Sequence, residues 1–293
     1  MRSPSARSWP VARIWSAGKF EALDFGGQDR REPKAVAMTD RADAQLQSAI
    51  KAARAAGALI KNRFGCDFQV DYKGAKDPVT EVDRACEDLI KCMLGKEHPE
   101  IAFWGEESGN SCPGSSETWI VDPLDGTKNF VHGYPFVAVS IALVRNAEPV
   151  LGVVYDPIRD EIFTAAEGKG AHLNGEAIIV SQTEKVSDAL IVTTLSTYHE
   201  GQGALILKAC QRCQGVRRGG ASALDLAQIA AGRLDAVWEW RLKPWDLAAA
   251  VVLIKEAQGT VTKPDGSPFN LFDGEILASN TNLHRAFGDL IQE

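Results

Sequence analysis

Trp119-Ile120-Val121-Asp122-Pro123-Leu124-Asp125-Gly126-Thr127-Lys128-Asn129-Phe130 is an apolar run that ends in an acid, a proline and a second acid. Trp119 to Val121 predicts a strand closing on Asp122. Pro123 then fixes φ and turns the chain, so that Asp125 points back toward Asp122. Two carboxylates this close, with the Leu124 carbonyl between them, make a hard oxygen site suited to Mg²⁺. Gly126 permits close backbone approach and Thr127 adds a hydroxyl. If a helix starts here, its free N–H groups favour a phosphate at the same spot. Read alone, the stretch is equally an Asp-rich surface turn capping a helix.

Three more acidic clusters stand at element edges. They are Asp77-Pro78-Val79-Thr80-Glu81-Val82-Asp83, Trp104-Gly105-Glu106-Glu107-Ser108 and Pro244-Trp245-Asp246-Leu247-Ala248-Ala249. Each also has a bland reading. Glu106 and Glu107 fit a solvated loop, Asp83 a favourable charge at a helix N-terminus and Asp246 a cap.

Working outward, Leu46, Ile50, Ala53, Gly57, Ile60 and Phe64 recur at helical spacing, and Gly65 ends that pattern. A second helix from the Thr80 cap to Leu94 turns Val82, Cys86, Leu89 and Met93 inward. Strands follow over Val137–Arg145, Val150–Tyr155 and Glu161–Ala166. The first two join at Asn146-Ala147-Glu148-Pro149, and a hairpin turn is expected at His172-Leu173-Asn174-Gly175. Strand and helix then alternate. Strands are expected over Ala189–Thr194, Ala236–Trp240 and Ile276–Ser279. Helices are expected over Gly203–Cys213, Ser222–Ala231 and Trp245–Gln258, with a last one capped by Asn280. Strand runs first and alternation later imply stacked helix and sheet layers, an α/β (α+β) architecture.

The 293 residues are 45% hydrophobic and 24% charged, enough apolar material for a sizeable core. No apolar run reaches the length of a membrane span. A net charge of −7 speaks against a nucleic-acid backbone binder. Residues 1–37 hold seven bases and four acids without periodicity. They are expected to be a disordered extension ahead of a start-like Met38. An N-terminal α+β part with the metal-binding motifs is expected over 38–185. A C-terminal α/β part completing the site follows over 186–293, with the break near Val180 to Asp188. The six cysteines, including Cys210-x-x-Cys213, read as reduced thiols of a cytoplasmic protein. The five histidines are scattered and read as surface or packing residues.

Taken together, the four acidic clusters resemble the inositol monophosphatase family of Mg²⁺-dependent, lithium-sensitive sugar phosphatases, over roughly Ala44 to Ile291. Asp122 to Phe130, followed by Pro135 to Ser140, is similar to the first family signature. Trp245 to Ala249 is similar to the second. Gly105 to Glu107 and Thr80 to Asp83 match two further elements, in family order. The resemblance implies an αβαβα sandwich, a homodimer and two or three Mg²⁺ ions. It implies metal ligation by Glu106, Asp122, the Leu124 carbonyl, Asp125 and Asp246. It implies that Asp83, Glu106 and Thr127 orient or activate the attacking water, and that Gly126 and Thr127 offer N–H groups to the phosphate. Gly220 and Ser222 would line the substrate pocket and Glu239 would hold a sugar hydroxyl. Lys73 falls near a basic residue by the third metal, with one residue of gap.

The chain departs from the family pattern at Ala250 and Gln258, where the family has glycine. Lys128 and Lys243-Pro244 lean toward histidinol-phosphate or nucleotide relatives; Asn129 and Val137 to Ser140 lean toward the inositol branch. The implied activity is hydrolysis of inositol 1-phosphate, a small phosphorylated polyol, by in-line attack of a metal-activated water. The alternatives are a histidinol-phosphate or 3′-phosphoadenosine-type nucleotide phosphatase, and a non-catalytic interaction protein on the same fold.

Overall fold

Period-two alternation around residue 120 decides how the layers stack. Trp119 and Val121 enter one apolar cluster, and Ile120 between them enters another. The structure is a computed structural model and describes residues 33–74, 77–109, 115–194 and 201–292. Helices α1 (Pro33–Arg63) and α2 (Glu81–Glu97) flank a hairpin of β1 (Val70–Gly74) and β2 (Asp77–Thr80). Next come β3 (Ala102–Gly105), β4 (Glu117–Asp125) and the short α3 (Thr127–Val131). Strands β5 (Ala138–Arg145), β6 (Glu148–Asp156), β7 (Glu161–Ala166), β8 (Ala171–Leu173) and β9 (Glu176–Ile178) complete a seven-stranded sheet. It runs in sequence order from β3 to β9, and only the β3–β4 pair is parallel.

The chain then builds β10 (Leu190–Thr193), α4 (Gln202–Arg212), β11 (Gly215–Arg217), α5 (Ser222–Ala230), β12 (Ala236–Trp240), α6 (Pro244–Glu256), β13 (Thr260–Thr262), β14 (Glu275–Ser279) and α7 (His284–Gln292). Its five strands lie in the order β11-β10-β12-β14-β13. The strands of the two sheets divide at residues 179–189, which hold one 3-10 turn, Val186–Asp188.

Three apolar clusters give five layers. Val139, Ile141 and Leu143 of β5 face α1 and α2. Ala138 and Ala142 of the same strand face α5 and α6. Val192, Val237 and Ala278 of the second sheet reach those same two helices from the other side. Ile191, Trp238 and Leu277 face outward onto Ala209 of α4 and Phe287 of α7. The αβαβα sandwich is therefore present. The middle layer is the most apolar, and α6 is buried from Leu247 to Ile254. It lies so close to β6 that a Cβ on Gly152 would stand 2.2 Å from the Ala249 carbonyl oxygen.

Several expectations need correction. Helix α1 begins at Pro33, so the boundary expected at Met38 falls inside it. Proline at the first helical position followed by Lys-Ala-Val-Ala supports that start. Residues 1–32 lie outside the described residues. The inward seam of α2 is Val82, Cys86, Ile90 and Leu94, while Leu89 and Met93 are only partly buried. The helix packs on both α1 and β4, a rotation that also turns Asp83 and Glu87 inward. The β5–β6 turn is two residues, Asn146 and Ala147, both at positive φ; Glu148 and Pro149 already belong to β6. Asn280 accepts the Leu283 N–H at 2.9 Å, in a turn ahead of α7 rather than at its cap. No helix among the described residues is long and apolar enough to cross a membrane.

Candidate active site

The end of β4 is irregular. Asp122 pairs with Ser140 and Asp125 with Ala138, so three steps on β4 oppose two on β5. In a regular strand residues i and i+3 point to opposite faces; the extra residue brings Asp122 and Asp125 to the same side. Pro123, which has no N–H to give a ladder, suits the bulge. One carboxylate oxygen from each of Asp122, Asp125 and Asp246 lies within 4.8 Å of the others.

Each acid is held from its own element. Asp122 Oδ1 accepts the Leu124 N–H at 3.0 Å. Asp125 receives the first N–H groups of α5: Ser222 at 3.0 Å on Oδ1, then Ala223 at 2.8 Å and Leu224 at 3.2 Å on Oδ2. The residue preceding α5, Ala221, has no capping side chain, so Asp125 caps that helix from across the fold. Asp246 sits in the first turn of α6 and accepts the Lys243 N–H at 2.7 Å. Glu106 follows β3, its N–H bonded to the Val121 carbonyl. Gly126 takes φ +88°, and a Cβ there would lie 3.0 Å from the Phe136 carbonyl oxygen. That turn requires glycine.

Glu106, Asp122, Leu124, Asp125, Gly126, Thr127, Gly220 and Asp246 line one cavity of about 470 Å³. Asp83, Ser222 and Glu239 stand behind its wall. Asp83, 1% exposed, receives the Thr127 hydroxyl at 2.8 Å. Glu239, 2% exposed, receives the Thr194 hydroxyl at 2.7 Å and the Ser222 hydroxyl at 3.2 Å. Lys73 also lines the cavity, 3.0 Å from Glu106 and 2.6 Å from Glu107. Trp104 meets Trp245 edge-on at 6.0 Å beside the acids.

The electrostatics show what the site favours. Burial pushes Asp122 well up from the usual carboxylate range, and the charges of Glu106, Asp125 and Asp246 add to it. Asp125 is driven the same way by burial and Asp246. Asp246 is pushed up to about 7, by burial first and then by Glu239. Two unit charges about 4 Å apart repel by roughly 4 kcal/mol at an effective dielectric of 20. Only protons or cations relieve that, and the donors are all hard oxygens, so the residues present fit Mg²⁺. Burial lowers the Lys73 pKa, but Glu107 and Glu106 outweigh it and raise it overall, so Lys73 stays charged as a counter-ion.

Two acids around the site, Glu87 and Asp225, are not singled out by the sequence, and a third, Glu107, is visible there only as part of the acidic stretch that holds Glu106. Glu87 stands one helical turn after Asp83 and accepts the Glu107 N–H at 2.8 Å, a spacing that could have revealed it. Glu107 is pushed up to about 7 by burial. Asp225, in the first turn of α5, is pushed up to about 8 by burial and the charge of Glu239. A carboxyl whose folded pKa lies above its unfolded value of about 4 stabilises the fold below that value, and the contribution is lost as pH rises toward 8. Melting temperature in EDTA should therefore fall between pH 5 and pH 8. Asp225→Asn should flatten the slope, by up to about 1.4 kcal/mol per pH unit. An equal slope in variant and wild type would refute this account of Asp225.

Away from the cleft, Cys210 and Cys213 are free thiols, the latter pushed up to about 11 by burial, which suits neither redox nor metal chemistry. His98 and His284 bond hydroxyl groups outside the cavity. Cys112 and His199 lie outside the described residues.

Residues 42–293 match the model of the inositol monophosphatase family. Inositol monophosphatase 2 of Solanum lycopersicum is 42% identical, over 84% of this chain and 97% of its own. Nus factor SuhB of Pseudomonas aeruginosa is 43% identical, over 84% and 95%. The solved inositol monophosphatase of Anabaena superposes with a TM-score of 0.77 at 37% identity, covering 84% of this chain and 94% of that one.

Proposed function

The chain belongs to the inositol monophosphatase family of phosphatases, and on that footing we propose that it hydrolyses inositol 1-phosphate to inositol and phosphate. The observation that carries the reading is the meeting of Asp122, Asp125 and Asp246 oxygens within 4.8 Å, in a cavity that Glu106 and Thr127 share. Glu106, Asp122, the Leu124 carbonyl, Asp125 and Asp246 would hold Mg²⁺, as two or three ions. When bound, Mg²⁺ supplies Lewis-acid polarisation of the phosphoryl group and lowers the pKa of water.

The chain's own groups do the rest. The Thr127 hydroxyl donates a hydrogen bond to Asp83, which leaves its lone pairs to accept one from the attacking water. Glu106, which lines the same cavity, orients that water. The N–H groups of Gly126 and Thr127 face the phosphate. Gly220 and Ser222 bound the polyol, and Glu239 holds the Ser222 hydroxyl and a polyol hydroxyl. Residues 38–185 supply most of the metal ligands and residues 186–293 complete the set with Asp246. The same reading makes the protein a cytoplasmic homodimer with no membrane or nucleic-acid partner.

Phosphate release from inositol, histidinol and nucleotide phosphates, without and with Mg²⁺, tests the reading. Mg²⁺-dependent turnover led by inositol 1-phosphate supports it. Turnover led by another ester reassigns the substrate, and none at all leaves a non-catalytic protein. Glu239→Gln should raise KM for inositol 1-phosphate and leave the Mg²⁺-induced rise in Tm unaltered. A collapse of that rise would instead place Glu239 among the metal ligands.

A further inference from the structure

Gly105 ends β3 in register with Val121 of β4, and it is not among the glycines at positive φ. Its backbone suits other residues, so what excludes a side chain there is space. A Cβ on Gly105 would overlap all three atoms of the Glu87 carboxyl group. Glu87 comes from α2 and is 4% exposed. A carboxylate is costly to bury unless its oxygens are bonded, and this one receives the Glu107 N–H at 2.8 Å.

Glu106 is therefore fixed on both sides. Its own N–H donates to the Val121 carbonyl at 3.1 Å, and the next N–H along the chain donates to Glu87. With both peptides held, the direction in which its side chain leaves the backbone is set, and that side chain lines the cavity.

The same helix holds the other group beside the attacking water. Asp83, four residues before Glu87, receives the Thr127 hydroxyl at 2.8 Å on one oxygen and the Thr80 N–H at 2.8 Å on the other. On a helix the two acids share a face, about 6 Å apart along the axis. One turn of α2 thus spaces two parts of the site. Asp83 holds Thr127 at the start of α3, and Glu87 holds the turn that carries Glu106.

We propose that Glu87 is a positioning residue which, through the space left by Gly105, sets the spacing of Glu106 from Thr127. The inference rests on the phosphatase reading, in which those two groups orient the attacking water.

Kinetics on inositol 1-phosphate test it, together with the Mg²⁺ concentration that gives half of the rise in Tm. Glu87→Leu keeps the volume and leaves the Glu107 N–H without its acceptor. It should lower kcat about ten- to a hundredfold with KM nearly unchanged, the scale of a misplacement of about 1 Å. The Mg²⁺ midpoint should move up, because Glu106 is a proposed ligand. Glu87→Gln keeps an oxygen for the same N–H and should stay near the wild type in both readouts. Gly105→Ala, whose methyl group displaces the Glu87 carboxylate, should match Glu87→Leu. Adding Glu87→Ala to Gly105→Ala should cost no further kcat, since the displaced carboxylate no longer acts. A residue that only supports the fold would lower Tm in EDTA and leave the Mg²⁺ midpoint in place. That result for Glu87→Leu, a Glu87→Gln protein as impaired as Glu87→Leu, or a further loss in the double variant would each overturn the positioning and leave the phosphatase reading standing. If the wild type releases phosphate from no ester, the phosphatase reading falls and the Mg²⁺ midpoints alone decide whether Glu87 places Glu106.

Discussion

Asp122→Asn should cut Mg²⁺-dependent turnover by about two orders of magnitude or more while leaving the metal-free protein as stable as the wild type, or more so. The residue sits among like charges whose mutual repulsion, together with burial, holds its carboxyl well above the usual range. Asparagine keeps the shape and the oxygen that accepts the Leu124 N–H, and removes the charge. The gain in the apo protein is capped, because protons already relieve part of the repulsion. Mg²⁺ raises Tm by binding the native state and not the unfolded one, so the loss of a ligand should shrink that rise. Melts of both proteins in EDTA and in Mg²⁺, beside turnover, read all three effects. An undiminished Mg²⁺ shift, or near-normal turnover, would remove Asp122 from the metal site.

The same change three residues on should behave differently. Asp125→Asn should also abolish most turnover, but in EDTA it should melt below Asp122→Asn. Both oxygens of Asp125 are engaged, one by Ser222 and the other by Ala223 and Leu224. An amide has one oxygen, so its NH₂ must face at least one of those buried N–H groups, a mismatch of about 1–3 kcal/mol. The attraction between a carboxylate and the N-terminus of α5 is lost as well. At about 2–4 °C per kcal/mol for a domain of this size, the gap between the two variants should be several degrees. If the two melt together in EDTA, the cap on α5 contributes nothing and the link between the sheets lies elsewhere.

The two variants separate what local sequence carries from what it does not. That Asp122 and Asp125 flank a proline at a strand end is visible in nine residues. That one has a nearly idle oxygen while the other caps a helix 97 residues later is not. The four acidic clusters lie at element edges as expected, because Thr80, Gly126 and Pro244 act within one turn of themselves. Placing them in one cleft depends on α5 and α6 being sandwiched between two sheets, a packing outcome spread over dozens of apolar residues.

By itself the sequence determined the main helices and strands, their order and the acidic edges, since periodicity, capping and turn chemistry are local and act on a few neighbours at a time; the short strands β1, β2, β11 and β13 carry too few residues for a period to show. Tertiary structure alone decided three things. The bulge in β4 put Asp122 and Asp125 on one side. The rotation of α2 buried Asp83 and Glu87 beneath the site rather than leaving them at a solvated helix start. Close packing of Gly274 on the Leu242 carbonyl set Arg241, which lines the cavity, at φ +64°, a backbone conformation that no local preference favours. Each brings charge or strain into a place that isolated segments would avoid. Each persists because burial of the surrounding core outweighs it, a balance summed over the whole chain and absent from any short stretch of it.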